Sequence, residues 1–425
     1  MRDSALPGPS RIAHFTDTWL PRRDGVVTSL QTLDRQLRAA GRQSLVVVPR
    51  HRDAVAEPGQ SLHTLRSLPC GVGQLRLAPL PGRRHTDAIA GWEPDLVHVH
   101  TVGPIGLLGV YAATRLGVPL VHTYHTDLHA YADAYRVPTR ALQLAVAAYR
   151  RRLAPGGRRP AMRTVGDNPR RALVDEGLRL LFGQSDAVVL PTRAILDRVR
   201  LPVPADRLHV LPTGVEGRTV RSSEVMAFRQ RHGVSTRDRL VLSVGRVTAE
   251  KGIDLLLPAF ARVLAAEPRA RLVLVGTVYD REALSAALRA SGLGRRVVLA
   301  GELAPQRVAA AYAAAVQSGG VLAFASRTDT QGLVLSEAAH AGLPCVMVDA
   351  ELLAAGPLAG AALCAPATTA GFGAAIERLL ANPVLAGALA DRARRAVLAH
   401  TPQAYVTSML SIYAAAAGVR DRMAA

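Results

Sequence analysis

The chain contains 425 residues, more than one hydrophobic core usually serves, so its length predicts two domains. A formal net charge of +19 favours anionic partners such as phosphates or an acidic lipid surface. Helix-turn-helix, zinc and RNA-binding signatures do not accompany this charge, and aromatic residues make up only 4% of the chain, so we expect no nucleic-acid partner.

Two stretches without Asp, Glu, Lys or Arg, 96–114 and 352–376, are long enough to cross a bilayer. Glycine, proline and polar residues interrupt both, so neither predicts a membrane helix. The opening of the chain lacks the charged-then-apolar layout of a signal peptide, and we expect a cytoplasmic protein. The three cysteines are too scattered for disulfides or zinc, and we predict buried thiols at Cys70, Cys345 and Cys364.

The first half of the chain alternates short β-branched runs with helix-like segments, the pattern of a doubly wound parallel sheet. Its predicted strands are 11–17, 44–49, 95–100, 119–125 and 186–192. Residues 150–171 mix arginine with glycine and proline without an apolar period, and we predict an exposed loop there, a candidate for contact with a membrane.

A polar segment, 212–236, predicts a linker before the pattern repeats. The predicted strands of the second half are 240–245, 271–276, 296–301, 320–325 and 344–349. The last segment, 402–425, predicts a helix that packs back on the first domain. We therefore predict an α/β protein with two Rossmann-like domains whose parallel sheets face each other across a cleft. The first domain is 1–215, completed by 402–425, and the second is 216–401.

The sequence GRVTAEKG follows a predicted strand and places Arg246 and Lys251 on a loop that leads into a helix. A helix N-terminus with two fixed cations suits a diphosphate, because the helix dipole and both charges favour an anion. Lys251 is the only lysine in the chain, which favours a chemical role for it. The alternative is a solvated basic loop.

Another predicted strand is followed by SRTDTQGLVLSEAAHAGLP, in which Asp329 and Glu337 stand eight residues apart. A loop carboxylate can accept hydrogen bonds from sugar hydroxyls, and an acidic residue in the following helix can hold a ribose diol. Gly332, without a Cβ, lets a ligand approach the backbone closely. The residues alone leave open that Asp329 caps a helix and that Glu337 is a surface residue.

In the first half, Asp24 and Gly25 follow the first predicted strand, and His125 ends the run VHTYH. Gly25 would again permit close approach of a ligand to the backbone. A histidine at a strand end is often structural, and Asp127 and Asp17 are equally consistent with helix caps or turns.

Together these motifs resemble the retaining family 4 glycosyltransferases, which share the GT-B fold, over nearly the whole chain. The residues that carry the resemblance are TDTWLPRRDGVVTSL, VHTYHTD, GRVTAEKG and TDTQGLVLSEAAHAGLP. The TYHTD and TDTQG segments are similar to those of enzymes that glycosylate lipids, including α-mannosyltransferases. The resemblance implies that the donor is a nucleotide sugar and that the acceptor is a lipid or a small molecule.

The resemblance also assigns roles to residues. It implies that Arg246 and Lys251 neutralise the donor diphosphate, that Glu337 binds the ribose, and that His125 lies near the transferred sugar. The family's usual Glu-x7-Glu pair begins here with Asp329, which we expect to contact the sugar. Further implied donor contacts are Gly25, Thr330, Gln331, Gly332 and Leu333, and the implied acceptor-side residues are Asp24, Gly25, His125 and Asp127. Of all these, His125, Asp329, Arg246 and Lys251 are the expected catalytic residues.

The mechanism implied by the resemblance is front-face displacement with retained anomeric configuration. The acceptor hydroxyl attacks from the side that the diphosphate leaves, and a diphosphate oxygen takes its proton. The chain has no Asp-x-Asp sequence, so we expect no metal and no other cofactor, with cationic side chains stabilising the leaving group.

The favoured acceptor is lipid-linked, which would place the enzyme at an anionic membrane surface on the inner face of the membrane. One alternative is a soluble secondary metabolite such as an aminocyclitol or an antibiotic. An alternative from another class is a nucleotide-sugar epimerase of GT-B fold. The sequence leaves open which nucleotide carries the sugar, although UDP and GDP are favoured. It also leaves open the hexose and the oligomeric state.

Overall fold

The computed structural model describes residues 8–54, 56–69, 76–78, 82–134, 137–153, 168–199 and 201–424. The chain divides into two compact units, Met1–Gly214 with Pro402–Ala425, and Val215–Thr401. We call these the N-terminal unit and the C-terminal unit. The division falls one residue before the expected boundary. Each unit is built on a parallel sheet flanked by helices, which confirms the predicted α/β class.

The described residues of the N-terminal unit form nine strands. They are β1 (Arg11–Phe15), β2 (Gln43–Pro49), β3 (Ser61–Leu65), β4 (Leu68–Pro69), β5 (Arg76–Leu77), β6 (Leu96–Val99), β7 (Leu120–Thr123), β8 (Ala187–Leu190) and β9 (Leu208–Val210). Seven form a sheet in the order β3-β2-β1-β6-β7-β8-β9 with parallel pairing throughout, and β4 pairs with β5 in antiparallel fashion. The order reverses at β1, where open parallel sheets usually bind ligands at their carboxyl ends.

Seven α-helices precede the C-terminal unit within the part of the chain that the structure describes. They are α1 (Gly25–Ala39), α2 (Arg83–Ala90), α3 (Pro104–Leu116), α4 (Leu128–Ala134), α5 (Thr139–Leu153), α6 (Pro169–Phe182) and α7 (Ala194–Arg198). α1 shows why these segments are helical: Leu30, Leu33 and Leu37 recur at helical spacing and are fully buried. Each contributes about 1.5–3 kcal/mol through the apolar surface that it removes from water.

The C-terminal unit contains six strands and eight helices. Its strands are β10 (Arg239–Val244), β11 (Ala270–Val275), β12 (Val297–Gly301), β13 (Val321–Phe324), β14 (Cys345–Met347) and β15 (Leu363–Cys364). Its helices are α8 (Ser222–His232), α9 (Ile253–Ala266), α10 (Arg281–Ala290), α11 (Pro305–Gln317), α12 (Leu333–Ala341), α13 (Ala350–Ala355), α14 (Thr369–Ala381) and α15 (Pro383–Val397). The sheet order is β12-β11-β10-β13-β14-β15, and every pair is parallel.

The linker predicted at 212–236 is wrong in its central part, because α8 occupies Ser222–His232. This helix buries Val225 and Phe228, and the buried guanidinium of Arg229 donates a hydrogen bond to the carbonyl oxygen of Ala314. Its other apolar residues, Met226 and Ala227, are exposed and the remaining positions are polar, so the sequence shows almost no apolar period.

The predicted arginine-rich loop is helical at both ends. Residues 150–153 belong to α5 and residues 169–171 to α6, while residues 154–167 lie outside the described part of the chain. Both helices reach into the predicted loop, and they are anchored by the buried residues Val146 and Leu153 of α5 and Leu173 and Val174 of α6.

Within the described residues no single helix is long and apolar enough to cross a membrane; α14 and α15 satisfy length and composition only as a pair, bent by 98°.

Cys345 is buried as predicted, whereas Cys364, in the two-residue edge strand β15, is exposed, so that prediction is wrong. Cys70 lies outside the described residues.

The last helix, α16 (Pro402–Ala424), belongs to the N-terminal unit. Its buried residues, including Tyr405, Met409 and Tyr413, share one apolar cluster with Ile12 of β1 and Leu33 of α1. The helix therefore completes one face of the N-terminal sheet.

Candidate functional site

The loops that follow β10 and β13 lie at one edge of the C-terminal sheet, because these two strands are neighbours. Lys251 Nζ donates to Asp329 Oδ1 at 2.6 Å, a charge-assisted hydrogen bond. Arg246 Nη2 donates to Glu250 Oε1 at 3.0 Å, and Lys251 Nζ lies 3.8 Å from the same oxygen. The structure thus brings three predicted donor-binding residues together with Glu250, and we call these four the charge cluster.

The backbone between β10 and α9 positions the lysine. A short 3₁₀ helix, Ala249–Lys251, ends at Gly252, whose φ of 74° lies in the left-handed region that favours glycine. A Cβ on Gly252 would lie only 2.4 Å from the carbonyl oxygen of Ala325, just past β13. Glycine therefore lets the loop press against the strand that leads to Asp329.

The charge cluster is partly shielded from water, and Asp329 within it is ionised. Burial alone would raise the pKa of Asp329, but the charge and hydrogen bond of Lys251, with the charge of Arg246, lower it below its ordinary value. The side chains of Lys251 and Asp329 are 22% and 19% exposed. An arriving diphosphate would compete with the two carboxylates for the two cations, in a setting that strengthens charge interactions.

The N-terminus of α12 lies directly after the loop that carries Asp329. Its N-cap residue is Gly332, with φ 66° in the left-handed region that favours glycine, so the N-cap position is not Asp329. Thr330 and the buried Gln331 precede the cap, and Leu333 begins the helix. The arrangement places a helix N-terminus, which attracts anions, next to the cations of the charge cluster.

Glu337 lies in the second turn of α12 and is half-buried. Its Oε2 accepts a hydrogen bond from the hydroxyl of Tyr312, on α11, at 3.0 Å. Burial raises the pKa of Glu337, while this hydrogen bond and the charge of Arg218 oppose the rise. Tyr312 therefore fixes a carboxylate that could accept two hydroxyl hydrogen bonds from a ribose.

Asp24, predicted on the acceptor side, is the N-cap of α1. Its Oδ1 accepts from the Val27 N–H at 3.0 Å, and its Oδ2 accepts from Thr18 Oγ1 at 2.9 Å and Arg22 Nε at 2.8 Å. Gly25 is the first residue of the helix. The carboxylate thus holds the start of α1 in place, and contact of Asp24 or Gly25 with a ligand stays a prediction.

Two further aspartates of the N-terminal unit act as caps. Asp127 Oδ1 accepts from the Ala130 N–H at 3.0 Å at the start of α4. The buried Asp17 accepts from Thr101 Oγ1 at 2.6 Å and from the Ile105 N–H at 2.8 Å in the first turn of α3. Both contacts agree with the cap interpretation that the sequence left open.

His125 lies two residues beyond the end of β7, at the carboxyl edge of the N-terminal sheet. Its Nε2 is 3.2 Å from Nδ1 of His100, which follows β6. Burial lowers the pKa of His125 to about 4, although the charge of Asp24 opposes this, so its imidazole is neutral near pH 7. A neutral imidazole next to a sugar can exchange hydrogen bonds with hydroxyls without adding charge.

Sequence reasoning missed Glu250, Tyr312 and His100. Glu250 stands four residues after Arg246, the spacing of an ion pair on one turn of helix, although the loop gave little reason to expect a turn there. Tyr312 is the one polar side chain in an alanine-rich stretch, and buried tyrosines usually find a hydrogen-bond partner. His100 carries no local signal for its contact with His125.

Two family models together match most of the chain. Residues 23–217 match the model described as Glycosyltransferase Family 4, and residues 238–382 match the one described as Glycosyl transferases group 1. The chain is 26% identical over 342 residues to the alpha-monoglucosyldiacylglycerol synthase of Streptococcus pneumoniae, covering 79% of this chain and 70% of that protein. It is 27% identical to the GDP-mannose-dependent alpha-mannosyltransferase of Mycolicibacterium smegmatis, covering 98% of this chain and 100% of that one.

Solved structures are similar in fold. HepE from Anabaena, in complex with UDP and glucose, gives a TM-score of 0.66 at 17% identity, covering 95% of this chain and 98% of that one. WaaG, a glycosyltransferase of lipopolysaccharide biosynthesis, gives a TM-score of 0.66 at 16% identity, covering 95% and 99%.

Proposed function

Because the chain belongs to the family 4 glycosyltransferases of GT-B fold, we propose that it transfers a hexose from UDP or GDP to the hydroxyl of a lipid-linked acceptor. The C-terminal unit binds the donor and the N-terminal unit binds the acceptor. Transfer retains the anomeric configuration and needs no metal. The observation that carries this proposal is the charge cluster at the carboxyl edge of the C-terminal sheet.

The donor role follows from the charges. Lys251 and Arg246 exchange their carboxylate partners for diphosphate oxygens and stabilise the negative charge that grows as the sugar bond breaks. Asp329, released from the lysine, then accepts hydrogen bonds from hydroxyls of the sugar, and Glu337 accepts those of the ribose. The acceptor hydroxyl loses its proton to a diphosphate oxygen as it bonds to the anomeric carbon, so no protein nucleophile is required.

The lipid acceptor is supported by the relatives and by charge. The synthase of Streptococcus pneumoniae is named for a glucosyl diacylglycerol. A net charge of +19 would draw the enzyme to an anionic membrane surface on the inner face of the membrane. Co-sedimentation with phosphatidylglycerol vesicles, strong at low salt and weak at high salt, would support this, whereas equal binding to neutral vesicles would contradict it.

The other acceptor class is a small soluble molecule. A relative from Segniliparus rotundus, 29% identical over 304 residues, is named D-inositol 3-phosphate glycosyltransferase. Its name shows that a soluble, anionic acceptor is compatible with similar sequences. Transfer to diacylglycerol or phosphatidylinositol in vesicles, compared with transfer to inositol phosphate and to aminocyclitols, separates the two classes.

The experiment that tests the proposal begins with thermal shifts for UDP, GDP and ADP, since a ligand of the native state raises the melting temperature. The matching nucleotide sugars are then assayed for transfer, with and without EDTA. Lys251→Ala should abolish most turnover and remain folded, whereas Arg295→Ala, at an exposed arginine before β12, should not change it. Product that appears only as epimerised donor, without acceptor, would favour the epimerase instead.

A further inference from the structure

The chain passes between its two units twice, and the two crossings are hydrogen-bonded to each other. The first crossing is the peptide bond between Gly214 and Val215, and the second is the one between Thr401 and Pro402. The backbone N–H of Val215 donates to the carbonyl oxygen of His400 at 3.1 Å. The two passing segments are therefore held side by side where they enter and leave the C-terminal unit.

In the N-terminal unit, buried hydroxyl groups fix the first crossing. Ser29 Oγ lies 2.7 Å from the Oγ1 of Thr213, the residue before Gly214, and 3.5 Å from the hydroxyl of Tyr405. Tyr405 also forms a hydrogen bond with Thr213, and all three hydroxyl side chains are buried. Because Ser29 belongs to α1 and Tyr405 to α16, this cluster joins both helices to the crossing.

In the C-terminal unit, the ring of His340 holds the same segment. Burial lowers the pKa of His340, whereas its hydrogen bond to the backbone of Val215 raises it, as donation to a carbonyl oxygen does. Its Nε2 is buried without a partner among the described residues, so Nδ1 is the donating nitrogen. The ring also lies against Gly217, where an added Cβ would be 3.3 Å from Nδ1. His340 therefore ties the segment that enters this unit to α12.

The two helices that hold the first crossing also carry predicted ligand contacts. Ser29 lies four residues, about one turn, after Gly25, at which α1 begins. His340 lies eight residues, about two turns, after Gly332, the N-cap of α12. In each unit, the crossing is thus hydrogen-bonded to a helix whose N-terminus is predicted to meet a ligand.

We propose that Ser29 and His340 are positioning residues that set the direction in which the chain crosses between the units. The consequence for catalysis rests on the proposed function. A donor held by one unit reacts only when the acceptor held by the other reaches it, and a loosely held crossing makes that geometry rarer. Loss of either side chain should therefore slow transfer without weakening the binding of the nucleotide, since neither residue belongs to the charge cluster.

The test is hydrogen exchange at the amide of Val215, followed by mass spectrometry without donor or acceptor. This N–H exchanges only when its bond to the carbonyl of His400 opens. Exchange should be at least about tenfold faster in His340→Leu and in Ser29→Ala than in wild type, because each variant frees one side of the crossing. Unchanged exchange in either variant overturns the proposal.

The exchange measurement needs no activity. Expected exchange rates in a protein without transferase activity would therefore refute only the proposed function. Melting temperatures check that each variant is folded, and Ser29→Ala removes a single oxygen atom, so a test remains if His340→Leu does not fold.

A conservative variant shows whether the hydrogen bond or the volume of the ring matters. His340→Asn places an amide N–H near the position of Nδ1 and should restore slow exchange at Val215, whereas His340→Leu fills the space without a donor. In His340→Leu we expect kcat to fall about tenfold with the Kd of the nucleoside diphosphate unchanged, and in His340→Asn we expect most of kcat to return. A change in that Kd as large as the change in kcat would show that His340 supports the donor site instead, and would overturn the proposal.

Thr32 and His232 provide matched controls. Thr32 lies on the same helix as Ser29, but its hydroxyl donates to the carbonyl oxygen of Thr28 within that helix at 2.9 Å. His232 is the last residue of α8, and its ring packs on Phe228 with 4.8 Å between the ring centroids. Each control removes the same kind of group from the same unit, at a place away from the crossing.

Thr32→Ala and His232→Leu should leave kcat and the exchange at Val215 unchanged. If they speed the exchange as much as Ser29→Ala and His340→Leu do, general loosening of each unit explains the effect and the proposal fails.

Discussion

Lys251 and Asp329 are the two members of one hydrogen-bonded ion pair, and substitutions at them should change nucleotide binding in opposite directions. Lys251→Ala removes a charge-assisted hydrogen bond to the diphosphate, worth about 1.5–3 kcal/mol, so the Kd should rise roughly ten- to hundredfold. Asp329→Asn removes the carboxylate that competes for the ammonium group. Because the pair is partly exposed, we expect a gain of only about 1 kcal/mol, or about fivefold tighter binding of the nucleoside diphosphate.

Isothermal titration calorimetry with the preferred nucleoside diphosphate measures these constants, and circular dichroism checks that each variant is folded. Arg295→Ala, which removes a positive charge at the amino-terminal edge of the same sheet, is the control for loss of net charge. The nucleotide sugar should lose its advantage over the nucleotide in Asp329→Asn, because the carboxylate that contacts the sugar is gone. The reasoning would be refuted if Lys251→Ala and Asp329→Asn both bound the nucleotide more weakly than wild type. It would also be refuted if Arg295→Ala lost as much nucleotide affinity as Lys251→Ala.

Three other predictions follow from the same unit. Tyr312→Phe leaves Glu337 without its hydroxyl donor, so the affinity for the nucleoside diphosphate should fall about five- to tenfold in calorimetry. An analogue with a dideoxyribose should bind wild type and variant equally. Folding lowers the pKa of Asp329, so its ionised form stabilises the fold above about pH 4 and this contribution is lost as pH falls through the folded pKa. Urea unfolding between about pH 5 and about pH 2 should therefore lose stability more steeply in wild type than in Asp329→Asn; parallel curves would contradict the sign. Because Lys251 is the only lysine, reductive methylation followed by mass spectrometry reports on this residue and the terminal amine alone. The nucleoside diphosphate should slow the methylation of Lys251. If Lys251 were methylated at the same rate with and without the nucleotide, the nucleotide would bind elsewhere.

The strongly periodic parts of the fold could be predicted from sequence. Buried strands such as β2 and β11 are runs of Val and Leu, and their apolar continuity identifies them. β3 contains His63 and Thr64 and is only partly buried, and β9 has three residues, so neither gives a clear signal. α8 could not be predicted because only a few of its side chains are buried, so its sequence lacks a clear apolar period.

The candidate site also contains residues that could be predicted from sequence and residues that could not. Lys251 and Asp329 could be predicted because each follows a strand in a recognisable motif, although their contact joins loops 78 residues apart. His100 could not, since it meets His125 only because β6 and β7 are neighbours in the sheet. Strand order is a property of the whole domain, and no local spacing encodes it.

The path of the chain through its two units has a consequence for biosynthesis. The C-terminal unit is one continuous segment, whereas the N-terminal unit is assembled from a long first segment and α16. During translation the second unit can fold first, while Ile12 and Leu33 stay exposed to solvent or chaperones until Tyr405 and Met409 emerge from the ribosome. Tyr413 arrives in the same step, so the hydroxyl that bonds His98 is among the last groups to reach the sheet.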